Sequence, residues 1–146
     1  MTDASQEASS QDDTGLAHAR RMWADDRASA GLGMELVELT TDRAVVRMTV
    51  DERMVNGHGI VHGGFVFTLA DSAFALACNS RGALTVAAGG DVTFVSSAHE
   101  GDVLLAEAVV RASYGRSGLT DVRVTREGDG ALVAELRGRS RSLPPR

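Results

Sequence analysis

The chain is poor in cysteine: Cys78 is the only one in 146 residues. That excludes an intrachain disulfide framework and a cysteine-based zinc site, and makes a reducing cytoplasm the plain expectation. No stretch approaches the ~20 consecutive apolar residues of a membrane span, so no membrane partner is expected. The opening, MTDASQEASSQDD, lacks the basic start and apolar stretch of a secretory signal. Positive charge is not in excess either. The net charge is −5, which gives no basic face for a nucleic acid. Internal repeats are absent, and so is a GxSxG elbow for a serine nucleophile. One domain over residues 14–142 is expected, with a polar tail over 1–13 and a short tail over 143–146.

What is present follows two periods. Residues 16–29 are rich in Ala, Leu, Met and Arg and predict a helix, capped by Thr14 and stopped by Gly31 and Gly33. From there the period becomes two. Ala44, Val46, Met48 and Val50 face one way while Arg43, Arg47 and Thr49 face the other, so RAVVRMTV reads as a half-buried strand. It pairs with MELVEL through a turn at 40–42. Residues 51–64 hold four glycines, two histidines and an asparagine, and read as loop. Residues 65–80 have no Gly or Pro and are apolar almost all round, which predicts a buried helix. Strand-like runs follow at 84–96, 103–113, 119–125 and 131–141, joined by SYGRSG and EGDG turns. The class is α+β: a mainly antiparallel sheet curled around one buried helix.

One residue resists this scheme. Between Arg53 and Arg81 the only formal charge is Asp71, inside the apolar helix. A buried carboxylate without a partner is costly. On a helical wheel Asp71 shares a narrow stripe of small side chains with Thr68, Ser72, Ala75 and Asn79. Just before the helix stands His62-Gly63-Gly64. Amides at a helix start have no helical acceptors and lie at the positive end of the dipole, and glycine lets a ligand come close. Such a segment is suited to stabilise an oxyanion. Taken alone, it is equally a plain turn. A metal held by His58, His62 and Asp71 requires a helical HGIVH segment, which Gly57 and Gly59 oppose, so no metal is expected. Ser72 adjoins Asp71 along the helix and does not face it, which argues against a serine triad. Cys78, in an apolar setting, is expected in the core.

Asn56, then His62-Gly63-Gly64, then Asp71, followed by an antiparallel stretch, resembles the hotdog-fold acyl-CoA thioesterases, in particular the phenylacetate-degradation type. NGH, HGG, LAD and ACNS in this loop and helix, and RGRS at 137–140, carry the likeness. It covers residues 16–142. The resemblance implies a hotdog fold, homodimers joined edge to edge and often paired into tetramers, and active sites at the dimer interface. It also implies an acyl-CoA substrate, an aryl-CoA such as phenylacetyl-CoA or a hydroxylated relative, and no cofactor. Asn56, His62 and Gly63 of one subunit would face Asp71 of the other. Asp71 is then general base or nucleophile, Gly63 N–H polarises the thioester carbonyl, Asn56 holds water or substrate, and His62 orients the loop or lies near the sulfur. Val61, Gly64 and Phe65 are candidate acyl-pocket residues. Arg116 and Arg139, with Arg137 and Arg141, are candidates for the coenzyme A phosphates, because guanidinium matches phosphate geometry. Where several relatives carry a small hydroxyl or thiol after the helix, this chain has Ala87-Ala88-Gly89-Gly90, whose glycines either enlarge the acyl pocket or form a bulge, the bulge being the favoured reading. A non-catalytic acyl-CoA-binding regulator and a hotdog hydratase or dehydratase are the competing readings.

Overall fold

A computed structural model of the chain describes residues 4–145. Its elements run α1 (Ala4–Ala24), α2 (Arg27–Gly31), β1 (Glu35–Thr40), β2 (Arg43–Thr49), α3 (Gly63–Cys78), β3 (Thr85–Phe94), β4 (Val103–Tyr114), β5 (Ser117–Arg126) and β6 (Leu132–Ser142). The six strands form one sheet in the order β1-β2-β4-β5-β6-β3, and every neighbouring pair is antiparallel. The sheet packs around α3, the arrangement implied by the resemblance. Among the described residues no helix is long and apolar enough to cross a membrane.

The strand faces read from the period-two pattern hold. Ala44, Val46, Met48 and Val50 on or beside β2, and Leu104, Ala106 and Ala108 on β4, are buried against α3. Glu135, Arg137, Arg139 and Arg141 of β6 face outward. That outer face is stitched by ion pairs, including Arg137–Asp121 at 2.8 Å and Arg123–Glu135 at 3.0 Å. A shallow hollow of about 620 Å³ lies on this face, lined by the paired charges. It is separated from the helix side by the thickness of the sheet. The register of β3 against β6 slips between Ala87 and Gly89, which is the bulge expected from the glycines.

The N-terminal helix differs from expectation. It begins at Ala4 rather than Leu16, so residues 4–13, read as tail, are helical. No Gly or Pro interrupts that segment. Once Leu16, Ala19, Met22 and Trp23 dock a turn on the core, each further residue extends the helix without a new nucleus. Thr14 is therefore interior, and its hydroxyl donates to the Ser10 carbonyl. The helix also stops early, at Ala24. Asp26 restarts the chain as N-cap of α2, its side chain accepting from Ser29 N–H at 2.9 Å.

Gly15 decides how closely α1 lies on α3. A Cβ there would run into the Ser80 carbonyl oxygen and stand 2.8 Å from the Arg81 backbone. Alanine in a helix interior is worth about 1 kcal/mol over glycine. Overpacking against rigid backbone costs about 1–3 kcal/mol. Gly15→Ala is thus expected to lower the urea midpoint despite its better helix propensity. A raised midpoint would show that the contact is loose.

Candidate active site

The helix α3 starts two residues earlier than the glycine-free run predicted, because His62 caps it. His62 has extended backbone angles, φ −65° and ψ 131°, and its Nδ1 accepts from Gly64 N–H at 3.0 Å. Its carbonyl takes Phe65 N–H at 3.0 Å. In this arrangement Nδ1 carries no proton. The cap leaves one amide over. Gly63 N–H has no acceptor among the described residues, and it stands at the positive end of a 16-residue helix. The ring of Phe94 lies against Gly63 so closely that a Cβ there would sit 2.8 Å from the Phe94 Cζ.

Asn56 is shaped by its own loop. Its Oδ1 accepts from His58 N–H at 2.9 Å and from Ile60 N–H at 3.3 Å. Its backbone N–H donates to the Ile60 carbonyl, and Val55 and Val61 form a bridge that closes the loop. Because both contacts on Oδ1 are backbone donors, the amide orientation is fixed. Nδ2 is the group left to act, as a donor only.

These pieces converge on one cleft of about 380 Å³. Asn56, Ile60, Val61, Gly63, Val66, Phe94, Val95 and Val133 line it, with Ser96 and Ser97. The candidates Asn56, Val61 and Gly63 are thereby brought together. Gly64 and Phe65 are not among its walls: the Gly64 amide is taken by His62, and Phe65 stands edge-on to the His62 ring and packs toward the core. Arg139 pairs with Asp91 at 3.2 Å on the outer sheet face. Its register partner is Gly89, five residues along β3 from Phe94, or about 17 Å at strand rise. Arg116 is exposed in the β4–β5 turn. The helix-stripe residue Asn79 is wholly buried, and its amide ties the end of α3 to Thr85 and to His18 of α1. Cys78 is half-buried beside the core, and burial pushes its thiol up to about 12, so it is an inert thiol.

Asp71 stands apart from the cleft of its own chain. It lies eight residues beyond Gly63, about 12 Å along the helix axis. It is half-buried, and among the described residues no hydrogen bond or ion pair reaches its carboxylate. Burial raises its pKa first, and the carboxylate of Asp26 adds to the rise. The walls contributed by Phe94, Val95 and Val133 escaped the sequence reading. They lie 30 to 70 residues from Gly63, and only strand register brings them to it.

The folded-state pKa of Asp71 lies above its unfolded value, so folding favours the protonated acid. That contribution is complete below the unfolded pKa and is lost as pH rises through the folded one. Asp71→Asn is therefore expected to be more stable than the parent at pH 7. The two should unfold alike below about pH 3.5, where the unfolded carboxyl is also protonated. Paired denaturation curves at the two pH values check this; a variant less stable at neutral pH contradicts it.

Comparison with known proteins places this geometry. A family model described as "Thioesterase superfamily" matches residues 58–133. The acyl-coenzyme A thioesterase PaaI of Escherichia coli is 37% identical over 126 residues, covering 86% of this chain and 89% of that protein. The solved structure of E. coli PaaI, from the phenylacetic acid degradation operon, superposes with a TM-score of 0.87 at 35% identity, covering 92% of this chain and 96% of the other. A Streptococcus mutans protein solved with acetyl CoA superposes with a TM-score of 0.73 at 25% identity, over 77% of this chain and 90% of that one. The matched segment holds His62, Gly63 and Asp71, the cap, the free amide and the carboxylate, and this chain, with its hotdog fold, belongs to the thioesterase superfamily.

Proposed function

We propose that the protein hydrolyses an acyl-CoA thioester at a site built from two copies of the chain. The observation that carries this reading is the single unpartnered amide, Gly63 N–H, at the head of α3 in an apolar cleft. A carbonyl oxygen seated there gains a dipole-reinforced donor as negative charge develops on it. Within one chain Asp71 is about 12 Å away along the helix, too far to act on that carbonyl. A second copy resolves the distance. β3 is an open edge with one neighbour, β6, and it exposes Val86 and Phe94, while on α3 Phe67 is exposed and Thr68, Asp71 and Ala75 are half-buried. Two-fold pairing of such edges runs the strands antiparallel and sets the two α3 helices side by side in opposite directions. The Asp71 of one subunit then comes to the Gly63 of the other.

The chemistry needs no cofactor. A water, held by the Asn56 Nδ2 donor, gives a proton to the Asp71 carboxylate as its oxygen attacks the carbonyl carbon. The oxyanion forms against Gly63 N–H. The C–S bond then breaks, and coenzyme A leaves as a thiolate that takes up the proton. Burial makes Asp71 a stronger base than an exposed carboxylate, which favours water activation over direct attack. His62 acts by holding the helix start in place through its Nδ1 cap. The cleft of about 380 Å³, walled by Ile60, Val61, Val66, Phe94, Val95 and Val133, accepts an acyl group of aromatic-ring size. The E. coli relative's place in a phenylacetic acid degradation operon supports an aryl-CoA. In an edge-paired dimer the far end of one β3 lies beside the near end of its mate. Arg139 and Arg116 then serve coenzyme A phosphates at the neighbouring cleft.

Asp71→Asn is expected to cut kcat for thiol release by about 10³-fold or more with coenzyme A binding retained. Turnover at the parental rate would remove Asp71 from the chemistry. Mixing inactive Asp71→Asn subunits with inactive Asn56→Ala subunits, after unfolding and refolding together, tests the sharing. Half the dimers are mixed and each holds one intact site, so about a quarter of parental activity returns. No recovery means that each chain completes its own site.

A further inference from the structure

Asp71 has a neighbour that the reaction described above does not use. Asp26, in the two-residue link between α1 and α2, holds Ser29 twice: Oδ1 accepts from Ser29 N–H at 2.9 Å and Oδ2 from Ser29 Oγ at 2.6 Å. The Ser29 Oγ lies 2.8 Å from the Ser72 Oγ of α3, and Ser29 is only 2% exposed. Ser72 follows Asp71 in the helix. At most two hydrogen-bond lengths therefore separate the Asp26 carboxylate from the residue beside Asp71.

Proton counting gives this chain a direction. A carboxylate only accepts, so the one proton of Ser29 goes to Asp26. The hydroxyl of Ser72 must then donate to Ser29. Ser72 spends its proton on Ser29 and keeps only lone pairs.

We propose that Asp26 is a positioning residue for the Asp71 carboxylate: held by the buried Ser29, which is itself bonded to Ser72 of α3, it fixes a second negative charge beside the stripe. Asp71 thereby ionises against a fixed neighbouring charge, and so stays a competent base. The charged group that bears on Asp71 among the described residues is Asp26, and it acts in the same direction as burial. Cys78, two turns further on, is a neutral thiol. A purely structural part, capping α2 and docking it on α3, is fully served by an amide, since asparagine caps as well as aspartate.

This inference rests on Asp71 as the catalytic base, and the experiment separates the two. kcat/KM for thiol release from one acyl-CoA is measured across pH for the parent, Asp26→Asn, Ser29→Ala and Asp71→Asn. Asp26→Asn keeps the cap and loses the charge. Its acidic limb is expected to move to lower pH, with the plateau down about two- to threefold from the weaker base. Ser29→Ala removes the hydroxyl that fixes the Asp26 carboxylate and links it to α3, and is expected to move the limb the same way. If Asp71→Asn is inactive but the limbs of both other variants overlay the parent, Asp26 is structural and this proposal is wrong. If Asp71→Asn stays active, the base assignment itself fails. Matched urea midpoints for parent and Asp26→Asn keep a folding defect from imitating the shift; a lowered plateau with an unmoved limb also counts against the proposal.

Discussion

Everything in this molecule follows from the need to bury α3 in the curl of one sheet. A helix has room there only if its side chains are small where the sheet is close. Ala70, Ala73 and Ala77 meet that need on the helix. On the sheet the same need falls on Gly138, where a Cβ would stand 2.6 Å from the Phe74 ring. Deep burial of backbone then makes the ends of α3 the places where polar groups must be accounted for. At its C-terminus Asn79 and Ser80 do this with side-chain bonds to Ala75 and Ala77 carbonyls. At its N-terminus His62 satisfies one amide and its carbonyl another, and the Gly63 amide is left over. The proposed reactive donor is thus the remainder of a capping arrangement.

The polar groups around the stripe divide in a consistent way. Asn56 uses its acceptor to shape the loop and keeps a donor; Ser72 uses its proton on Ser29 and keeps an acceptor. Among the described residues Asp71 receives no hydrogen bond or ion pair. A carboxylate in that state is destabilised as an ion and correspondingly basic. The fold tolerates this at one position because Asp71 is half-buried rather than sealed, and because a cooperative core surrounds it.

Most of this architecture was legible in the residues. Alternation assigned the faces of β2, β4 and β6, and the absence of Gly and Pro from the nearly all-apolar residues 65–80 identified the central helix. Asp71 drew attention because it contradicted its surroundings. Helix limits were less legible. Gly63-Gly64 looked like loop, yet a cap set by His62 starts the helix there; residues 4–13 looked like tail, yet they continue a docked helix. The cleft walls from Phe94 and Val133 and the Asp26–Ser29–Ser72 chain left no trace in sequence. Each depends on a register or a crossing that local pattern does not encode. Arg139 is a different case: within its own chain it pairs with Asp91 on the outer face, and the phosphate role proposed for it depends on the neighbouring subunit.

The two rims of the sheet are unequal. β1 is short, bulged between Leu36 and Glu38, and studded with Glu35 and Glu38, features that discourage further strand addition. β3 runs ten residues with Asp91 as its only charge. A solitary subunit would carry a ready template for promiscuous strand addition, and under the edge pairing proposed above its folding equilibrium is governed by mass action. For such a proposed pair, dilution, rather than heat or acid, is the gentlest way to take the molecule apart.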